Sequence, residues 1–127
     1  MRKIKFRAQS DGSWIKRGEW LYGDLIHGEH KPYIYSDDSG EFSKISVILE
    51  TAGQYTGMND CNNVDIYEGD IVRTSDNDDE LATVDFDAEN FKVVVTHGNV
   101  CTNLGEYYPH EVEVVGNIYD NPELING

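Results

Sequence analysis

Cys61, Cys101, His97 and His110 are the side chains in this 127-residue chain best suited by type to hold a soft metal. Structural zinc sites gather four thiolate or imidazole ligands, most often in short paired spacings. Here His97-x-x-x-Cys101 is a close pair, Cys61 and His110 lie elsewhere in the sequence, and no CxxC or HxxxH accompanies them. His27-x-x-His30 offers two more imidazoles in a glycine-containing loop, too few to close a site. These spacings predict neither a metal centre nor a cofactor.

Carboxylates suit hard cations or acid–base work. Asp76, Asp78, Asp79 and Glu80 form one cluster, but it lacks the sixth-place glycine and distal glutamate of an EF-hand loop. Asp85-x-Asp87-x-Glu89 places three carboxylates on alternate residues, the spacing of one outward strand face. Acid–base chemistry would also need a pocket that raises one pKa, and nothing in the pattern supplies one. No GxSxG elbow, phosphate-cradling glycine loop with lysine, or GxGxxG follows a strand. Cys61 sits beside Asp60 without a basic neighbour, so no activated thiol is expected. No catalytic residue is assigned, and an enzyme acting through carboxylates or a metal is the weakest of three readings.

Around those residues the sequence calls for short strands. Ile4, Phe6 and Ala8 alternate with Lys3, Lys5 and Arg7, a half-buried strand with a basic outer face. Trp14-Ile15 and Glu19 to Ile26 flank Lys16-Arg17-Gly18, a hairpin loop by composition. Tyr33 to Tyr35 and Phe42 to Leu49 are strand-like, with a turn at Ser36 to Gly40 between them. Gly57 ends a strand at Tyr55-Thr56, and the Asx-rich Asn59 to Asn63 turns the chain. Ile66-Tyr67 and Ile71-Val72 flank the turn Glu68-Gly69-Asp70. Leu81 to Phe86 and Phe91 to Thr96 make a hairpin, and Glu111 to Val115 the last main strand. Pro122 opens at most one helical turn. No 3.6-residue apolar period persists for three turns. The expected fold is mostly β: a small SH3-like barrel preceded by an N-terminal β-subdomain. Residues 1–127 read as one domain, with a soft seam near 49–53.

Charge divides the chain unevenly. Residues 1–44 hold eight of the ten Lys and Arg against seven acids, whereas residues 45–127 hold Arg73 and Lys92 against seventeen acids. A field of that sign repels phosphates, so direct nucleic-acid binding is disfavoured. No run is long and apolar enough for a membrane helix, and MRKIKFRAQS lacks the apolar core of a signal peptide. Two cysteines make no disulfide framework.

The words QYTGMNDCNNVDIYEGDIV and VEVVGNIYDNPEL, with KIKFRAQSDGSWIKRGEWLYGDLI at the start, resemble the YopX family, small proteins of bacteriophages and prophages. The positions carrying the likeness are Tyr55, Gly57, Tyr67, Gly69, Asp70, Gly116, Asn117, Tyr119 and Pro122. Where the family's turn reads roughly Asp-Lys-Asn-Gly-Lys, this chain has Asp60-Cys61-Asn62-Asn63-Val64, losing two positive charges. Asn63 can replace glycine because asparagine visits the left-handed region. The resemblance implies a phage or prophage origin and a cytoplasmic location, and brings no established activity. The expected role is non-catalytic: an acidic face of Asp65, Glu68, Asp70, Asp76, Asp78 and Asp79 docking on a host or phage protein with a basic surface. The alternative is a nucleic-acid mimic occupying a DNA-binding enzyme. Homo-oligomerisation, with the basic N-terminal strand on an acidic surface of another subunit, is a further expectation.

Overall fold

The computed structural model describes residues 5–35, 44–75, 81–87, 90–95 and 101–125. The expected turn at 36–40, the carboxylates of 76–80, Glu89 and His97 lie outside the described residues. The chain divides into two compact units, Met1–Tyr55 and Thr56–Gly127.

In the first unit β1 (Phe6–Ser10), β2 (Trp20–His27), β3 (Pro32–Tyr35) and the start of β4 (Lys44–Asn59) pair in sequence, all antiparallel. β1 also pairs with β4, which closes these four strands into a ring. Alternation decides what faces inward. Ala8, Ile34 and Val47 are buried together, with Phe6, Leu21, Leu25 and Ala52 against them, while Tyr22, Asp24 and Ile26 of β2 are exposed. Between the pairs Arg7↔Gly53 and Gln9↔Ile48 the register slips, because β4 covers five steps against two on β1. Thr51 fills this bulge: its hydroxyl accepts the Gln9 N–H at 2.9 Å and donates to the Ile48 carbonyl at 2.7 Å. Three cations of this unit rest on rings: Arg7 on Trp20, Lys44 on Tyr33 and Lys5 on Tyr55.

Trp14 and Ile15, expected in a strand, lie instead in the connection from β1 to β2. Ser10 and Asp11 capture that segment locally. Ser10 Oγ accepts from Gly12 and donates to the Ile15 carbonyl, and the Gly18 N–H donates to the Ser10 carbonyl. Asp11 Oδ1 accepts the Ser13 N–H and the Ser46 hydroxyl, each at 2.9 Å, and Arg17 donates to the Asp11 carbonyl. Glycine at 12 and 18 allows the positive φ of 91° and 93° that the loop needs.

β4 runs on through Gly57, so that glycine does not end the strand; its φ of 86° bends it instead. Within the second unit, β6 (Asp70–Thr74), β7 (Leu81–Asp87), β8 (Asn90–Val95) and β9 (Cys101–Asn103) form a meander, and β10 (Val112–Asn117) returns beside β6. β5 (Asp65–Tyr67) precedes them, and three single 3-10 turns cover Leu104–Glu106, Pro109–Glu111 and Pro122–Leu124. Ile66, Val72, Ala82, Val84, Phe91, Val93, Leu104 and Val112 form the core, with Met58, Tyr107 and Val114 packed on it. All but Leu104, which comes from a 3-10 turn, are inward residues of strands, as the period-two pattern requires. The protein is mostly β, in two antiparallel sheets of which the first is partly closed.

Two outcomes follow for stability. Gly69 has φ 92°, and a Cβ there would stand 3.2 Å from the Tyr119 ring, so Gly69→Ala should lower stability in urea by about 1–3 kcal/mol. For Asp11, burial pushes the carboxyl pKa up, but the hydrogen bonds from Ser13 and Ser46 and the nearby Lys31 charge outweigh it and hold the group below its ordinary 3.8. A lowered folded-state pKa contributes stability above the ordinary value and loses it as pH falls through the lowered one. The urea midpoint of the native chain should therefore exceed that of Asp11→Asn near neutrality, with the gap closing in acid below that range.

Candidate functional site

The Asx-rich segment after β4 builds around one carboxylate. Asp60 is only 3% exposed, yet both its oxygens are occupied. Oδ1 accepts the N–H groups of Asn62 and Val64, each at 2.8 Å, and Oδ2 accepts the Val114 N–H of β10, also at 2.8 Å. Next along the chain, the Cys61 N–H donates to the Val112 carbonyl at 2.9 Å. Asn63 takes φ 64°, the left-handed conformation for which asparagine substitutes for glycine. The turn thus covers the edge of β10 that β6 does not.

Beside this turn lies a shallow depression of about 190 Å³, lined by Cys61, Arg73, Thr74, Ser75, His110, Glu111, Val112 and Glu113. Thr74 and Val112 are buried and form its floor. On the rim, Arg73 pairs with Glu113 at 3.3 Å, both half-exposed. Glu111 is held by the Ser75 hydroxyl at 3.2 Å and the Tyr108 N–H at 2.8 Å, and the Tyr108 ring stacks on His110. The fold brings Cys61 and His110 to this one depression, which their separation in sequence concealed. No hydrogen bond joins them among the described residues. Among those residues, no three His, Cys, Asp or Glu side chains stand where they could share a metal ion.

Three of the six acids read from sequence as a docking face, Asp65, Glu68 and Asp70, are among the described residues. Asp65, at the start of β5, and Glu68, in the turn just after it, are half-buried. Asp70 is a correction: it is 1% exposed, with Oδ2 accepting the Tyr67 N–H at 2.8 Å across the tight turn, so its carboxylate serves the backbone instead of a docking face. Asp76, Asp78 and Asp79 lie outside the described residues. An acid that the sequence reading left out, Asp120, comes close by. The Ile118 N–H donates to the Gly69 carbonyl and Tyr119 covers Gly69, so the segment carrying Asp120, followed by Glu123, lies against the Glu68–Gly69 turn.

The remaining motif positions build that same junction. A Cβ on Gly116 would stand 2.6 Å from Asn121 Oδ1, the atom that accepts the Asn117 N–H. Asn117 Oδ1 in turn accepts the N–H groups of Tyr119 and Asp120, and Pro122 starts the last 3-10 turn. Tyr67 is buried beside it, while Tyr55 lies half-buried under Lys5 in the first unit.

Fold and site together describe a small antiparallel β-protein whose recognisable polar residues hold its own backbone. The YopX protein family model matches residues 5–126, and the chain belongs to that family. The crystal structure of protein EF1440 from Enterococcus faecalis is similar, with a TM-score of 0.56 and 21% identity over 98% of this chain and 99% of that one. That likeness is one of fold. No curated protein matches. No helix among the described residues is long and apolar enough to cross a membrane.

Removing the Asp60 carboxylate strands three backbone donors. Asp60→Ala should destabilise the protein by about 3 kcal/mol or more, since each unmet buried donor costs roughly 1–3 kcal/mol. Asp60→Asn should rescue only part, because its amide nitrogen would face the Val114 N–H, donor against donor. Fast hydrogen exchange at the Val114 amide in both variants is the local readout.

Proposed function

We propose that this protein works by binding rather than by catalysis, its second unit docking on a basic surface of another protein of the host cell or of the phage. The supporting observation is charge. Residues 56–127 hold sixteen acids against two bases. Both bases are already faced by acids: Arg73 pairs with Glu113, and Lys92 stands opposite Asp85 in the β7–β8 register. The face consists of Asp65, Glu68, Asp120 and Glu123 around the Gly69 turn. Charges so placed steer a basic partner and weaken with salt. A phage-encoded chain acting in bacterial cytoplasm is the setting that family membership favours.

The test is a salt-gradient elution of bound partner from tagged protein in bacterial lysate, run beside Glu68→Gln/Asp120→Asn/Glu123→Gln. Release at moderate salt, and at clearly lower salt from the triple variant, is expected. A partner held equally by both at every salt concentration would count against the reading. Displacement by duplex DNA would turn it toward a nucleic-acid mimic.

A further inference from the structure

The outer face of β2 and β3 gathers exposed rings around one carboxylate. The alternation that turns Leu21 and Leu25 of β2 toward the core turns Tyr22, Asp24 and Ile26 out. On β3 it turns Ile34 in and Tyr33 and Tyr35 out. Strand pairing sets Asp24 directly across from Tyr35, and Ile26 across from Tyr33. Tyr22, Ile26 and Tyr35 are 47%, 39% and 37% exposed, so the exposed Asp24 stands in an apolar frame open to solvent. The core of this unit is filled by other residues, Ala8, Ile34 and Val47 with their neighbours, and does not use these rings.

Cations of the same unit show what its rings attract. Lys44 lies 4.4 Å from the centroid of Tyr33, Arg7 4.5 Å from that of Trp20, and Lys5 5.1 Å from that of Tyr55. Lys44 is paired across from Tyr35, yet its ammonium sits over the diagonal neighbour Tyr33. Among the described residues no cation stands over Tyr35, and the Asp24 carboxylate takes part in no ion pair or hydrogen bond. A carboxylate with one ring across from it and another beside it attracts a cation twice, by its own charge and by the ring quadrupoles.

The shape of the frame selects among cations. A guanidinium is planar, stacks on an aromatic face and pairs with a carboxylate through two parallel N–H bonds. An ammonium is a compact, strongly hydrated charge that gains less from a flat frame. We propose that Asp24, Tyr35 and Tyr22 form a receptor for an arginine side chain of a protein partner. The guanidinium pairs with Asp24 and lies against the rings, and its aliphatic stem covers Ile26. This rests on the reading of the protein as a binder of basic partners, and adds a specific contact on the first unit.

Titration of the isotope-labelled full chain with acetyl-Gly-Arg-Gly-amide, read by amide chemical shifts, tests the site. The arginine peptide should shift the amides of Tyr22 to Ile26 and of Tyr33 to Tyr35. The same peptide with neutral citrulline should not. Asp24→Asn should weaken the response about tenfold or more, because charged hydrogen bonds are lost. Tyr35→Ala should weaken it about two- to fivefold. Both side chains are exposed, so unchanged shifts elsewhere show that each variant is folded. No response of β2 and β3 at the highest soluble peptide concentration would overturn the proposal. So would an equal response to citrulline, or native affinity in Asp24→Asn. An equal response to the lysine peptide would overturn the assignment to arginine. The two readings fail separately. Shifts confined to the acidic second unit sink the Asp24 receptor and leave the docking face standing. A lysate partner lost by Asp24→Asn/Tyr35→Ala, yet held equally by the native chain and the triple variant, does the reverse.

Discussion

The second unit depends on a carboxylate used in place of a strand. An edge strand offers unpaired N–H and C=O groups, which must be satisfied or protected. β10 meets this need without another strand: Asp60 takes the Val114 N–H, and the following amide fills the Val112 carbonyl. The same carboxylate closes its own turn through Asn62 and Val64, so one ionised side chain fixes turn and edge together. Charged acceptors make stronger bonds than neutral ones, and two oxygens let three donors converge. With β10 held, its irregular pairing between Val114 and Gly116 and the course of Ile118 to Asn121 follow.

That course explains the words that identify the family. IYEGD and GNIYDNP are far apart in sequence but form one junction, with Tyr119 against Gly69 and Asn121 against Gly116. Each glycine stands where a Cβ has no room, and each asparagine acts as a local backbone acceptor. What the family shares at these positions is a way of folding. Most of the polar groups at these positions are spent on the fold itself.

Strands whose apolar residues alternate were legible from sequence: β1, β3, β6, β7, β8 and β10 lie close to where period two puts them. Turn chemistry at Glu68-Gly69 was equally plain. What escaped was anything decided by a distant partner. Gly57 looked like a strand end because glycine usually interrupts pairing, yet here it bends a strand that continues. Trp14-Ile15 had strand-like composition but is claimed by Ser10 and Asp11, which bond the nearby backbone first. Asp70 read as a surface charge and Asp60 as one member of an Asx turn, since burial of a carboxylate depends on donors that only the fold assembles. That Cys61 and His110 share one depression was hidden for the same reason: they stand 49 positions apart.

Both units are sealed by bonds between segments distant in sequence. Gln9 meets Thr51 across 42 residues, and Asp60 meets Val114 across 54. Closing such loops costs entropy before any contact repays it, so these strand pairings form slowly compared with local hairpins. During synthesis, the first ring lacks its last side until β4 has been made, and the second sheet lacks an edge until Val114 has been added. Through that interval β6 waits beside an empty place, and β10 is the strand whose arrival ends its exposure to other chains.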